Sequence, residues 1–307
     1  MRILFVASEV VPFAKTGGLA DVAGALPKSL RQLGHEVAVV MPYYQSCKKS
    51  NAAATGLTVK FPINEKTVEG DIHRATLPGA DVPVYFLAND GYYDRTGLYG
   101  TSQGDYQDNC ERFVFLSRGT VEAVKALGAK FDIIHCHDWQ SGLVPVYLKT
   151  LYKDDPAFDG TRTVFTIHNL AYQGVFWVWD MKLTGLDWSL FNWKQLEFYG
   201  KLNLMKGGLV FADALTTVSQ RYAQEIQTPA FGCSLDGVLT ERAKDLRGII
   251  NGIDYAVWDP AVDSLVPAKF SKENLRGKQV CKKFLQKKSG LPRTSVPLIG
   301  IISRLAD

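Results

Sequence analysis

The chain has 307 residues, 46% apolar and 21% charged, the profile of a soluble globular protein with room for one large domain or two ordinary ones. Its 35 basic and 31 acidic residues leave a net charge of only +4, with no dense basic block along most of the chain, which argues against nucleic acid as a partner and leaves room for a small anionic ligand. No apolar stretch approaches the roughly 20 residues that span a bilayer, and the five cysteines (Cys47, Cys110, Cys136, Cys233, Cys281) form no C-x-x-C pair, so a cytoplasmic protein with free thiols and no membrane partner is expected.

The opening run Ile3 to Ala7 ends at Glu9, too early for a secretory signal, and reads as a first buried strand. Leu19, Val22, Ala23, Leu26, Leu30 and Leu33 then recur at helical spacing, with Pro27 inside and Gly34 closing the helix. Further apolar runs follow at Glu36 to Met41, Val82 to Leu87, Ile133 to Cys136, Thr163 to Ile167, Leu215 to Val218 and Leu246 to Ile250. Short apolar runs alternating with amphipathic stretches predict an α/β fold with a doubly wound, mostly parallel sheet. The stretch Leu57 to Leu77 alternates in places and carries Pro62 and Gly70, which predicts an antiparallel excursion near the sheet edge. After Ile250 the turn residues Asn251-Gly252-Ile253-Asp254, then Pro260 and Pro267, mark a crossing out of a first domain spanning 1–250. A basic amphipathic helix is expected from about Lys272 to Lys288, and Pro297 to Arg304 reads as a fresh strand and its loop, the start of a second α/β domain within 251–307.

Three loops at the carboxyl ends of predicted strands carry candidate chemistry. The first holds Glu9 and then Lys15-Thr16-Gly17-Gly18-Leu19-Ala20-Asp21, where glycine amides and a lysine could meet an anion; a plain strand-to-helix turn with a solvated lysine accounts for the same residues. There is no G-x-G-x-x-G, the second strand ends in Met41-Pro42 instead of a ribose-binding acid, and no G-x-x-x-x-G-K-[ST] occurs, so neither a dehydrogenase nor a P-loop NTPase is supported. The second loop follows His135-Cys136-His137-Asp138-Trp139-Gln140, and the third is His168-Asn169-Leu170-Ala171-Tyr172-Gln173-Gly174. His135 and His137 share a strand face, so a metal completed by Asp138 or His168 is one reading; buried histidines that simply hydrogen-bond are the commoner outcome, and no second ligand pair is visible. The G-x-S-x-G elbow of a serine hydrolase is absent.

Lys15-Thr16-Gly17-Gly18-Leu19, His137-Asp138-Trp139, His168-Asn169, the Gly232 to Gly237 stretch and Asn251-Gly252-Ile253-Asp254 occur in the order and approximate spacing of bacterial glycogen synthases and plant starch synthases, and the chain resembles the amino-terminal portion of that family over essentially its whole length. The resemblance implies the GT-B architecture, an amino-terminal Rossmann-like domain on the acceptor side and the beginning of a donor-binding domain. It implies transfer of glucose from ADP-glucose to an α-1,4-glucan (glycogen or a malto-oligosaccharide) with retention of configuration, without cofactor or metal. By the same comparison Lys15 and the Gly17 and Gly18 amides would meet the donor diphosphate from one side and Arg304 from the other. His168 and Asp138 would serve the transferred glucose, with Glu9, Asp21, Tyr93, Asn169 and Asn251 as further substrate contacts. With the rest of the donor side missing, the chain alone is expected to be inactive, its carboxyl-terminal stub is expected to self-associate, and a glucan-binding module without turnover is the alternative. Aromatic residues in loops, among them Tyr172, Trp177, Trp179 and Trp188, are candidates for a glucan track, although most aromatics of such a chain belong to its core.

Overall fold

A computed structural model describes residues 1–302. The chain divides into two compact units, Met1–Asn251 and Gly252–Asp307. The first unit is built on nine strands: β1 (Arg2–Val6), β2 (Glu36–Pro42), β3 (Ala53–Ile63), β4 (Lys66–Thr76), β5 (Pro83–Ala88), β6 (Ile133–His137), β7 (Arg162–Ile167), β8 (Ala214–Thr217) and β9 (Leu246–Gly248). Their order across the sheet is β9-β8-β7-β6-β1-β2-β5-β4-β3. Strands β9 through β5 run parallel, and only β4 pairs antiparallel, with β5 and with β3.

The sequence explains this layout. Ile3, Leu4, Phe5 and Val6 are all buried, as a strand covered on both faces requires, whereas β3 and β4 alternate buried and exposed residues as a hairpin at the sheet edge does. Helix α1 (Gly18–Gln32) runs unbroken through Pro27 and turns off at Gly34, whose φ of +88° is the left-handed value that closes a helix. Helix α2 (Asn109–Ala126) is buried along most of its length and carries Arg112, the largest side chain with no exposure. Its guanidinium donates to Tyr92 O (2.8 Å), Leu98 O (3.0 Å) and Asn109 Oδ1 (2.7 Å), so one buried cation satisfies the backbone of the 92–99 segment.

The chain reaches β2 from β1 on one side and β6 on the other, so the topological switch lies between β1 and β6. In open α/β sheets a crevice forms there, outside the carboxyl ends of the strands. The loops after β1, β6 and β7 all leave from that edge.

In the second unit, a helix runs over Arg276–Lys288, starting four residues later than the spacing predicts because Ser271 and Asn274 exchange backbone hydrogen bonds in a turn. The strand expected within Pro297 to Arg304 does not form among the described residues: 297–302 has no regular structure, and Ile299, Ile301 and Ile302 are exposed. An apolar run becomes a strand only when a neighbour takes up its backbone groups, and no described residue does so. Ser303, Arg304 and Leu305 lie outside the described residues. No described helix is long and apolar enough to cross a membrane.

Replacing Arg112 by Met should cost about 3 kcal/mol of stability, since the Tyr92 and Leu98 carbonyls would lose buried partners. Urea unfolding followed by far-UV circular dichroism measures it; a midpoint within error of wild type would contradict the assignment.

Candidate active site

Each loop at the switch point is held by a polar group that the sequence places at a strand end. After β1 the chain buries Ser8 and Glu9. A carboxylate out of water needs donors, and Glu9 takes the Thr16 amide, the Thr16 hydroxyl (2.6 Å), the Gly17 amide (3.1 Å) and the Tyr99 hydroxyl (2.7 Å). Glu9 thus faces inward as the anchor of the loop, and the Gly17 amide donates to it. The Gly18 amide, first in α1, finds no acceptor among the described residues, and Gly18 is exposed with open space where a Cβ would stand. Lys15 is exposed and its Nζ donates to both carboxylate oxygens of Asp21, at 2.7 and 2.8 Å.

Beyond β6, Asp138 takes φ +55° with ψ −178°, a conformation that few non-glycine residues adopt and that marks a backbone under constraint. The bend aims its carboxylate across to β7, where Oδ1 accepts the His168 amide at 2.7 Å. Burial pushes the Asp138 carboxyl up to about 7; the His168 and Asn169 amides pull the other way and the Glu9 charge adds to the rise. Burial pulls His168 down to about 4, with Glu9 opposing. Glu9 therefore acts on both residues, and the three loops leave the sheet from one edge. Asn169 is exposed and closes its own turn, Oδ1 accepting the Ala171 amide at 3.0 Å.

Three histidines stack inward from His168. His137 Nδ1 lies 3.0 Å from His168 Nε2, the His135 and His137 rings are 4.2 Å apart, and His135 Nε2 contacts Thr166 Oγ1 at 2.6 Å. Burial holds His135 down at about 3 and His137 well below the ordinary histidine value, so all three are neutral at neutral pH. Among the described residues no group of three His, Cys, Asp or Glu is placed to hold a metal ion.

Other expected contacts fall elsewhere. Tyr93 has no exposure and its hydroxyl donates to Arg112 O at 2.7 Å, so it belongs to the core and not to a ligand surface. Asn251 is exposed at the end of the first unit, and Arg304 lies outside the described residues. Several residues that hold the site were not singled out from sequence. Tyr99 bridges Ser8 and Glu9, each at 2.7 Å, from far along the chain. Gln173 accepts from Asn203 Nδ2 (2.7 Å) and donates to Cys233 O (2.9 Å), pinning a loop in which Cys233 and Ser234 both take positive φ. Its place in the His168 to Gly174 run was the available signal. Gly174, with φ +61°, lies so close to Trp139 that a Cβ would meet the indole at 2.3 Å.

Because the folded chain holds the Asp138 proton more tightly than the unfolded chain, the stability linked to it is complete below the ordinary value of 3.8 and is lost as pH rises through about 7. Asp138→Asn, which cannot ionise, should therefore gain on wild type by about 2 to 3 kcal/mol between about pH 5 and pH 8. Parallel pH dependences of the two unfolding free energies would refute the buried, raised carboxyl.

A family model described as the starch synthase catalytic domain matches residues 2–241. The glycogen synthase of Koribacter versatilis is 48% identical over 311 residues, covering 100% of this chain and 63% of that protein. Glycogen synthase 2 of Geobacter sulfurreducens is 47% identical over 310 residues, covering 100% and 64%. Among solved structures, the catalytic domain of starch synthase IV from Arabidopsis thaliana bound to ADP and acarbose matches with a TM-score of 0.85 and 33% identity, over 96% of this chain and 60% of that one. The chain thus spans a little under two thirds of the length of these relatives. The agreement in sequence and in the large, mostly parallel sheet shows that the chain belongs to the starch synthase catalytic domain family of GT-B glycosyltransferases.

Proposed function

We propose that the chain supplies the acceptor-side wall of a glycogen or starch synthase, which moves glucose from ADP-glucose to the non-reducing end of an α-1,4-glucan with retention of configuration. The observation that carries this reading is that the loops bearing Lys15, Asp138 and His168 all leave the carboxyl edge of the sheet at its switch point, in a fold whose structural relative was solved with ADP and acarbose. Lys15 and the Gly18 amide meet the diphosphate, and residues 252–307 begin a donor-side domain. Positive charge at the leaving diphosphate stabilises the transition state as the glycosidic bond breaks. The Lys15–Asp21 pair is no obstacle: both side chains are 49% exposed, and such pairs are worth only about 0–1 kcal/mol. His168 contacts the transferred glucose, and Asp138 acts by holding the backbone of the His168-Asn169 turn in place.

The acceptor has a surface suited to it. Trp139 is buried against Phe176 (5.6 Å between ring centres), and from Trp177 an exposed series follows, Trp177 to Trp179 at 6.3 Å and Trp179 to Trp188 at 5.7 Å, ending against the partly buried Phe191, 5.8 Å from Trp188. Soluble proteins rarely leave so many indoles in water, and aromatic faces are what sugar rings stack on. The same surface favours the second reading, a module that binds glucan without turnover. The exposed isoleucines of 297–302 are the feature through which the chain would self-associate, and sedimentation at increasing concentration tests that.

Radiolabel transfer from ADP-glucose to maltohexaose separates the two readings. The 307-residue chain should show none, while a chimera completed with the carboxyl-terminal third of the Geobacter relative should lengthen the acceptor; an inactive, folded chimera would leave the binding module. In that chimera Lys15→Ala should cost about 2 to 4 kcal/mol in kcat/KM, and Asp138→Asn should lower kcat despite its added stability. Trp177→Ala and Trp188→Ala should weaken retardation in glycogen-loaded gels and leave KM for ADP-glucose unchanged; equal retardation of variants and wild type would remove the aromatic series from the acceptor surface.

A further inference from the structure

His137 touches no solvent and so cannot touch a ligand, yet it carries an unpaired polar atom. It is the last residue of β6, and its ring is clamped between Phe5, 5.3 Å away with 17° between planes, and His135. One nitrogen, Nδ1, meets His168 Nε2 at 3.0 Å, and the other, Nε2, has no hydrogen-bond partner. Since both imidazoles are neutral, a single proton lies between them, and either ring could own it.

The unpaired nitrogen decides the matter. Were His168 the donor through Nε2–H, His137 would carry its proton on its own Nε2, leaving a buried N–H with no acceptor, a costly defect. With His137 donating through Nδ1–H, the atom left over is a bare lone pair, the commoner and milder defect in protein interiors. In that arrangement His168 keeps its proton on Nδ1, which makes no hydrogen bond among the described residues and reaches the surface of a half-buried side chain.

We propose that His137 is a positioning residue that fixes the tautomer of His168: its Nδ1–H donates to His168 Nε2, so that His168 presents Nδ1–H as a hydrogen-bond donor toward a ligand oxygen. This rests on the reading of His168 as a substrate contact. The buried ring sets both the orientation and the donor character of the exposed one, as outer-shell partners do for ligating histidines.

The tautomer can be read without any substrate. The chain holds five histidines, so ring-15N labelling of histidine and long-range 15N–1H correlation at neutral pH resolve every ring nitrogen, with His168→Gln and His137→Asn giving the assignments. Wild type should show His168 protonated at Nδ1 with a bare Nε2; a proton on His168 Nε2 overturns the proposal, whatever the variants do. His137→Asn, which keeps a donor near the place of Nδ1, should preserve that pattern. His137→Leu should release His168 into a mixture of tautomers, and an unchanged His168 signal in a folded Leu variant also overturns it. In the active chimera, kcat/KM should fall roughly ten- to hundred-fold for Leu and largely recover for Asn; a Leu variant as active as wild type, or an Asn variant as impaired as Leu, counts against the role. A chimera with no transferase activity would fail the proposed function alone, because the spectrum does not depend on turnover.

Discussion

A carboxylate buried at the end of a central strand must be met by donors, and the way Glu9 meets this need organises the crevice. Its four hydrogen bonds reach the loop before α1 and, through Tyr99, a segment that Arg112 in turn holds from α2. The loop carrying Lys15 is thereby tied to the sheet from below, by a group that ligand never needs to touch. Burial dominates the shifts of Asp138 and His168, raising the first and lowering the second, and the Glu9 charge adds a smaller upward pull on both. Losing Glu9 would therefore disturb position and protonation together.

Across the crevice the design repeats with different chemistry. Asp138 takes a strained, positive-φ conformation and spends its carboxylate on the backbone of the next strand's loop, so the third loop hangs from the second. Burying that carboxylate costs stability at neutral pH, which is the mark of a site where local folding preference gives way to function. The histidine stack behind it is neutral throughout and therefore adds no charge to this edge of the sheet. What it adds is orientation.

How much of this the sequence disclosed depends on whether a feature is local. The parallel strands were readable because a strand buried on both faces is a short apolar run, and the β3–β4 hairpin because an edge alternates. The strand ends before Asp138 and His168 were readable because both follow short apolar runs. Tyr93 was misplaced because nothing in Tyr92-Tyr93 says which ring points inward, and both do. Glu9 looked like a ligand contact because its true partners include Tyr99, 90 residues away, which no spacing rule connects to it. The run after Pro297 shows the converse: its residues suit a strand, but pairing is a property of neighbours, and among the described residues there are none.

The charges near the first loop then take on distinct roles. Counted together, Lys15, Asp21 and Glu9 leave the loop net negative, a poor field for a diphosphate. The two acids are not equivalent, however. Glu9 is 4% exposed and bound by neutral donors, which spread its charge into the backbone of Thr16 and Gly17. Asp21 is half exposed and bound to Lys15 alone, in water that screens the pair. On the proposed reading an arriving diphosphate would displace Asp21 at little cost, while Glu9 keeps the loop in shape. Asp21 would then hold the lysine until a stronger anion takes it, and the positive end of α1, with the exposed Gly18 at its tip, would add to the attraction that the lysine begins.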